Sequence, residues 1–271
     1  MLASRNRALA LVFVALAFVA CSSDSKTTTA SSGSTSSGST ASAPPITGPL
    51  TVFAAASLTE AFNAEKTTLE AANPGLSITY NFAGSGALVK QIQADDTVAD
   101  VIATADTSSM KTLTDAGLVE PSTIFAKNKL EILVQPGNPK NIKTINDLAN
   151  PNITFVTEDP SVPAGKYTAA MFSQAGITVN PVSMEPDVKS AVAKVTSGQA
   201  DATVVYVTDV KAAGSKGEGV VIPDAQNQIA SYPIAIVKAS KHQDAAAGFV
   251  TTMVSGSGQD ALQASGFLPP T

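Results

Sequence analysis

The stretch L-T-V-F-A-A-A-S-L-T-E, residues 50–60, joins a strand-like apolar segment directly to the start of a helix. Residues 50–54 are apolar or β-branched, which predicts a buried strand. Ser57 is followed three residues later by Glu60, and this spacing predicts a capping box at the first helical turn. A strand that leads at once into a helix is typical of α/β proteins.

The same alternation of strand-like and helix-like segments continues along the chain. Residues 188–196 show the clearest helical periodicity, because Val188, Ala191, Val192 and Val195 share one helix face. We therefore predict an α/β fold with mainly parallel strands, and roughly 220 residues of this kind fit two lobes better than one open sheet. The further candidate strands are residues 77–82, 101–103, 130–134, 153–156, 202–205, 220–222 and 234–237.

Several of the turns that follow these strands are lined by small residues and hydroxyl groups. Helix N-termini present unpaired N–H groups, and in α/β proteins they gather beside the carboxyl ends of the strands, where they can bind an anion without a cationic side chain. Taken singly, each such residue is better explained as a helix cap or as a packed aromatic ring, and only the set together indicates a binding site. The turns place Ser85 between Gly84 and Gly86, Ala164 behind Pro163, Val188 behind Asp187, and Tyr206 after the strand 202–205.

The N-terminal region is typical of an exported protein. Arg5 and Arg7 precede an apolar run that ends at Ala20, and we predict that residues 1–20 are a signal peptide. The run closes with F-V-A-C, similar to a bacterial lipobox, which predicts lipidation of Cys21; an ordinary signal peptide with an incidental thiol is the alternative. Residues 21–48 are mostly Ser, Thr, Gly, Ala and Pro, which predicts a flexible tether.

Composition excludes several classes of protein and site. The 271 residues are 44% hydrophobic and 14% charged, with a net charge of −5, so neither a disordered chain nor a basic nucleic-acid-binding surface is expected. One cysteine and one histidine exclude a disulfide framework, a zinc cluster of Cys and His ligands and a papain-like Cys/His pair within the chain. Beyond the predicted signal peptide there is no arginine, and 15 lysines stand against 22 acidic residues, a charge of −7.

Five segments together resemble the periplasmic molybdate-binding proteins, which are the solute receptors of molybdate ABC importers. The similarity runs in order from about residue 50 to A-S-G-F at residues 264–267. The segments are T-V-F-A-A-A-S-L (51–58), F-A-G-S-G (82–86), A-D-V-I-A-T-A-D (99–106), S-V-P-A-G (161–165) and V-V-Y-V-T-D (204–209). Two positions depart from the family pattern: Gly86 replaces a second serine, and Pro186 restricts the turn before Asp187.

The resemblance implies a two-lobed, type II periplasmic-binding-protein fold with the ligand cleft between the lobes. Lobe 1 would comprise residues 49–130 plus 231–271 and lobe 2 residues 131–230, with strands crossing near residues 129–133 and 232–236. The ligand would be molybdate or tungstate, with no cofactor, no catalytic residue and no protein ligand to a metal. Its implied contacts are the Ser57 and Ser85 hydroxyl and N–H groups, the Ala164 and Val188 N–H groups and the Tyr206 hydroxyl.

The implied partners are the membrane permease of an ABC importer with its cytoplasmic ATPase. We expect a monomer on the outer face of the cell membrane, held by a lipid on Cys21, with no nucleic-acid partner. A receptor for sulfate, thiosulfate or another small oxyanion is the main alternative, and an adhesive protein that has lost the pocket is another. A lipid-anchored hydrolase with Ser85 as nucleophile is disfavoured because G-S-G differs from G-x-S-x-G and His242 lies in a polar segment predicted to be exposed.

Overall fold

The computed structural model describes residues 46–271. The predicted signal peptide, Cys21 and most of the predicted tether lie outside the described residues. Ile46 and Gly48, at the end of that tether, already belong to the fold: the Ile46 N–H donates to Asn73 Oδ1 at 2.9 Å, and Gly48 begins the first strand. None of the helices in the described range has both the length and the apolarity needed to cross a membrane.

Strands and helices alternate over most of the described chain. The strands are β1 Gly48–Ala55, β2 Leu76–Ala83, β3 Val101–Ala103, β4 Thr123–Val134, β5 Val156–Glu158, β6 Ser183–Glu185, β7 Ala202–Tyr206, β8 Glu218–Val221 and β9 Ile229–Ile236. The α-helices are α1 Thr59–Ala72, α2 Ser85–Ala94, α3 Thr107–Asp115, α4 Pro163–Ala175, α5 Val188–Thr196, α6 Val207–Ala213, α7 Gln243–Ser255 and α8 Ser257–Ser265.

Local sequence explains where the helices near the strand ends begin. Gly84 precedes α2 in an extended conformation, and Pro163, whose missing N–H costs nothing at a helix start, is the first residue of α4. Asp187 caps α5 by accepting a hydrogen bond from the Ser190 N–H at 2.9 Å, as predicted. The helices α2, α4 and α5 therefore begin in the turns that follow strands β2, β5 and β6.

The strands form a seven-stranded sheet and a separate two-stranded sheet. In the larger sheet the order is β2-β1-β3-β9-β4-β7, with β8 also paired to β4, and the smaller sheet is β5-β6. The β1–β2, β1–β3 and β5–β6 pairs are parallel, whereas β9, β4, β7 and β8 pair with their neighbours in antiparallel fashion. The prediction of mainly parallel strands was therefore only partly correct.

Strand β4 connects the two parts of the larger sheet. Its residues from Thr123 to Lys129 pair with β9, and its residues from Leu130 to Val134 pair with β7 and β8. The change of partner falls between Lys129 and Leu130, at the predicted boundary of lobe 1 and beside the predicted crossing.

Three predicted strands differ by several residues from the structure, one of them because β9 begins at Ile229, five residues before the predicted Ile234. The segment predicted at residues 153–156 is found as β5 at Val156–Glu158, and only Phe155 within the earlier part forms an isolated bridge, to Ala202. Strand β4 begins seven residues before the predicted Leu130, because Phe125, Ala126 and Asn128 are buried although Lys127 and Lys129 flank Asn128. Alternating lysines on one face of a buried strand hide its apolar periodicity.

Candidate functional site

Five residues predicted as ligand contacts lie around one small cavity. Ser57, Ser85, Ala164, Val188 and Tyr206 all line it, and each is at most 4% exposed. The first two come from predicted lobe 1 and the other three from predicted lobe 2. The cavity leaves about 10 Å³ for the centres of water molecules, which is room for about one water. A tetrahedral oxyanion would need the surrounding turns to move slightly apart.

Ser57 occupies a different position from the predicted one. It lies in a 3-10 turn, Ala56–Leu58, that immediately precedes α1. No side chain caps that helix, so the predicted capping box of Ser57 with Glu60 was wrong. The Ser57 hydroxyl instead forms a hydrogen bond of 2.9 Å with the Tyr232 hydroxyl. Glu60 is turned to Lys189, whose Nζ lies 2.7 Å from its Oε2. Tertiary partners have replaced the local cap.

Ser85 and Tyr206 are placed so that their hydroxyl hydrogens are free. Ser85 Oγ accepts a hydrogen bond of 3.0 Å from the Ala105 N–H, so its own hydrogen is not committed to that contact. The Tyr206 hydroxyl is fully buried and forms no hydrogen bond of good geometry among the described residues, although the Tyr232 hydroxyl is a polar neighbour. Burial raises the pKa of Tyr206 well above its ordinary value, so the group stays a donor. An unpartnered buried hydroxyl at a cavity indicates a polar ligand.

Ala164 and Val188 contribute backbone rather than side-chain chemistry. They lie in the first turns of α4 and α5, where the N–H groups have no acceptor within the helix. Together with α2, which begins at Ser85, these helices bring three positive dipole ends to the cavity. Neither lysine nor arginine is among the described residues that line it.

Two lysines link the predicted lobes near the site. Lys166 in α4 contacts Ser108, and its Nζ lies 3.3 Å from Asp106 Oδ2. Lys189 in α5 pairs with Glu60 across the lobes and with the buried Asp209 at 3.0 Å within its own lobe. Nothing in the local sequence indicates these long-range ion pairs.

A buried acidic cluster that sequence analysis missed lies behind the V-P-A-G turn. Glu158 at the end of β5 is fully buried, and neither of its carboxyl oxygens has a hydrogen-bond partner among the described residues. Burial, together with the nearby Asp209, Asp187 and Glu185, raises the pKa of Glu158 to about 8. Its backbone carbonyl packs against Gly165, where a Cβ atom would approach to 2.4 Å. Glu158 is therefore neutral at pH 7.

This cluster predicts a specific pH dependence of stability. The folded-state pKa of Glu158 lies above the unfolded value near 4.5, so its contribution to stability is complete below pH 4.5 and is lost as the pH rises through about 8. Glutamine is neutral at every pH, so Glu158→Gln does not lose this contribution. We expect the free energy of unfolding of Glu158→Gln minus that of wild type to grow by up to about 1.4 kcal/mol for each pH unit between pH 4.5 and about 8.

Denaturant unfolding at several pH values between 5 and 9 checks this expectation. Glu120→Gln, at an exposed glutamate, is the matched control and should differ from wild type by the same small amount at every pH. A difference between Glu158→Gln and wild type that stays constant with pH would contradict the assignment of a buried neutral carboxyl group.

His242 gives no support to the hydrolase alternative. It immediately precedes α7, its side chain is 40% exposed, and its Nδ1 lies 3.1 Å from Asp100 Oδ1. Neither His242 nor Asp100 lines the cavity that contains Ser85. Within residues 46–271, no group of three or more His, Cys, Asp and Glu side chains is arranged to hold a metal ion.

Gly84 and Gly86 lie directly against turns of the other predicted lobe. A Cβ atom on Gly84 would lie 2.6 Å from the Pro186 carbonyl oxygen, and one on Gly86 would lie 3.0 Å from the Ser161 carbonyl oxygen. Gly86, noted in the sequence as a departure from the family pattern, therefore stands where a larger side chain would meet the opposite turn.

Comparison with known proteins places the chain in a family. Residues 50–268 match the family model described as bacterial extracellular solute-binding protein. The chain is 39% identical over 222 residues to the molybdate-binding protein ModA of Mycobacterium bovis, covering 82% of this chain and 85% of the relative. It is 29% identical over 226 residues to a putative ABC transporter substrate-binding lipoprotein, YvgL, of Bacillus subtilis, covering 80% and 85%.

Solved structures agree on the architecture. The periplasmic molybdate-binding protein of Azotobacter vinelandii superposes with a TM-score of 0.73 at 20% identity, covering 82% of this chain and all of that chain. The predicted α/β periplasmic-binding-protein fold and the predicted family are thus confirmed, and the family consists of solute receptors rather than enzymes. The chain belongs to the bacterial extracellular solute-binding proteins.

Proposed function

We propose that this protein is an extracytoplasmic receptor that binds molybdate, and tungstate, between two lobes and delivers the anion to an ABC importer. Residues 49–130 with 231–271 would form one lobe and residues 131–230 the other. The observation that carries the proposal is the unpartnered Tyr206 hydroxyl at a cavity that Ser57, Ser85 and two helix N-termini also line. The similarity to molybdate-binding proteins supports it.

The donor chemistry of the cavity suits a fully deprotonated anion. Molybdate and tungstate are tetrahedral dianions at neutral pH, so every oxygen accepts hydrogen bonds and none donates. Phosphate at pH 7 keeps a proton, so its binding is strengthened by an acceptor group that faces that proton. Asp187 lines the cavity and could serve as such an acceptor only through its carboxylate, which already accepts a hydrogen bond from the Ser190 N–H of its own helix. Charge-assisted hydrogen bonds contribute about 1.5–3 kcal/mol each, so several of them together are enough for micromolar or tighter binding.

Sulfate and thiosulfate remain the second candidates for a chemical reason. Sulfate is also fully deprotonated, so a set of donors alone does not reject it. We propose that closure of the lobes sets a cavity size that favours the larger molybdenum and tungsten oxyanions. The close approach of Gly84 to Pro186 supports such a limit, because an oxyanion needs these turns to move apart only slightly.

We also propose that the protein is held at the outer face of the cell membrane by a lipid on Cys21, with the residues between Cys21 and Ile46 as the tether. The lipobox-like F-V-A-C and the similarity to a lipoprotein relative support this anchor. The partners would be a membrane permease and its cytoplasmic ATPase. Metabolic labelling with a fatty acid, lost in Cys21→Ser, tests the anchor.

Thermal unfolding in the presence of different anions tests the proposed ligand class. A ligand at 100 times its dissociation constant adds about 2.7 kcal/mol to stability, which corresponds to about 5–10 °C for a domain of this size. We expect such a shift with molybdate and tungstate and none with phosphate at equal concentration. An equal shift with sulfate would make the protein a broader oxyanion receptor, and no shift with any of the four would contradict an oxyanion function.

A further inference from the structure

Tyr232 lies behind the cavity and contacts site residues from both predicted lobes. It is in β9, is fully buried, and its hydroxyl lies 2.9 Å from Ser57 Oγ. Its ring packs edge-on against the Tyr206 ring with centroids 5.8 Å apart. Tyr232 is not among the residues that line the cavity, so any effect on a ligand must act through Ser57 or Tyr206.

The direction of the Ser57–Tyr232 hydrogen bond decides what Ser57 offers to a ligand. A serine hydroxyl has one hydrogen and two lone pairs. If Ser57 donated to Tyr232, only its lone pairs would face the cavity, and they would repel a dianion. If Tyr232 donates, the Ser57 hydrogen is free to point at the ligand.

Ser85 shows the same arrangement with a backbone donor. The Ala105 N–H can only donate, so Ser85 Oγ must accept and its hydrogen stays available. Tyr232 can fill the corresponding place for Ser57. Burial raises the pKa of Tyr232 far above its ordinary value, which keeps its proton in place at every physiological pH.

We propose that Tyr232 is a positioning residue that donates its hydroxyl hydrogen to Ser57 Oγ and so directs the Ser57 hydroxyl toward the bound oxyanion. The chain of donors runs from Tyr232 through Ser57 to the ligand, and each bond polarises the next. This inference rests on the proposed oxyanion function and adds a determinant that does not touch the ligand.

A double-mutant cycle with Ser57 tests the proposal by calorimetric titration of the purified protein with molybdate. We expect Tyr232→Phe, which keeps the ring, to weaken binding about tenfold, and to change affinity less than twofold when Ser57→Ala is already present. Tyr80→Phe is the matched control, because the Tyr80 hydroxyl donates to the Phe62 carbonyl oxygen at 2.9 Å and neither residue lines the cavity.

The outcomes separate a positioning role from a structural one. If Tyr232→Phe only loosens the fold, it weakens binding by the same factor with and without Ser57→Ala. That result would overturn the proposal, whether or not the Tyr232→Phe variant also has a lower melting temperature than Tyr80→Phe. Wild-type affinity in Tyr232→Phe would overturn it equally. Failure of the wild-type protein to bind molybdate would instead overturn the proposed function.

Discussion

Replacing Ser57 and Ser85 together by alanine is expected to weaken molybdate binding at least about 100-fold. Each serine would donate a charge-assisted hydrogen bond to the dianion, and two such bonds contribute about 3–6 kcal/mol. The folded state would lose only the Ser57–Tyr232 bond and the Ser85–Ala105 bond, each a neutral contact of about 1 kcal/mol. Calorimetric titration and denaturant unfolding of the double variant measure the two effects separately.

Ser240→Ala is the matched control for this double variant. Its hydroxyl donates to Asp100 at 2.6 Å and does not line the cavity, so it should lose stability on a similar scale while molybdate affinity stays unchanged. A folded Ser57→Ala, Ser85→Ala variant with wild-type affinity would show that these two serines are not ligand contacts.

Gly84→Ala is expected to weaken ligand binding by between about 10- and 100-fold without a comparable loss of stability. The new Cβ atom would lie 2.6 Å from the Pro186 carbonyl oxygen, so the two turns would have to separate. Gly84 has φ −60° and ψ 137°, which alanine adopts without strain. The cost of about 1–3 kcal/mol for overpacking therefore falls on the contact between the predicted lobes rather than on either lobe alone.

Gly86→Ala provides a graded comparison in the same turn. Its Cβ atom would lie 3.0 Å from the Ser161 carbonyl oxygen, a tight contact but a milder one, and we expect a smaller loss of affinity. Titration of both variants with molybdate checks that Gly84→Ala loses more affinity than Gly86→Ala. Wild-type affinity in Gly84→Ala would show that the observed approach of Gly84 to Pro186 is not part of the ligand-bound arrangement.

Local sequence was sufficient to predict the turns around the cavity. Gly84 before Ser85, Pro163 at the start of α4 and Asp187 before Val188 are short-range signals, and each helix begins where those signals indicate. Because the carboxyl ends of strands converge, predicting the turns was enough to predict that they meet. Their assignment as ligand contacts came from the family resemblance and stays a prediction.

Long-range contacts were beyond the reach of the same signals. Ser57 and Tyr232 are 175 residues apart, and a capping-box pattern with Glu60 suggested a local partner where a distant hydroxyl is found. Strand β6, S-M-E, was not predicted at all, because a short strand whose Met184 is 56% exposed carries no apolar period. The burial of Glu158 likewise depends on packing that no local pattern encodes.

The most direct test of the central claim is calorimetric titration of the protein with molybdate, repeated in the presence of excess sulfate. The oxyanion-receptor account predicts saturable binding of one molybdate per chain, with an affinity that excess sulfate lowers little. Equal competition by sulfate would keep the cavity as an oxyanion site but contradict selection by size. Absence of molybdate binding by the folded protein would contradict the account as a whole.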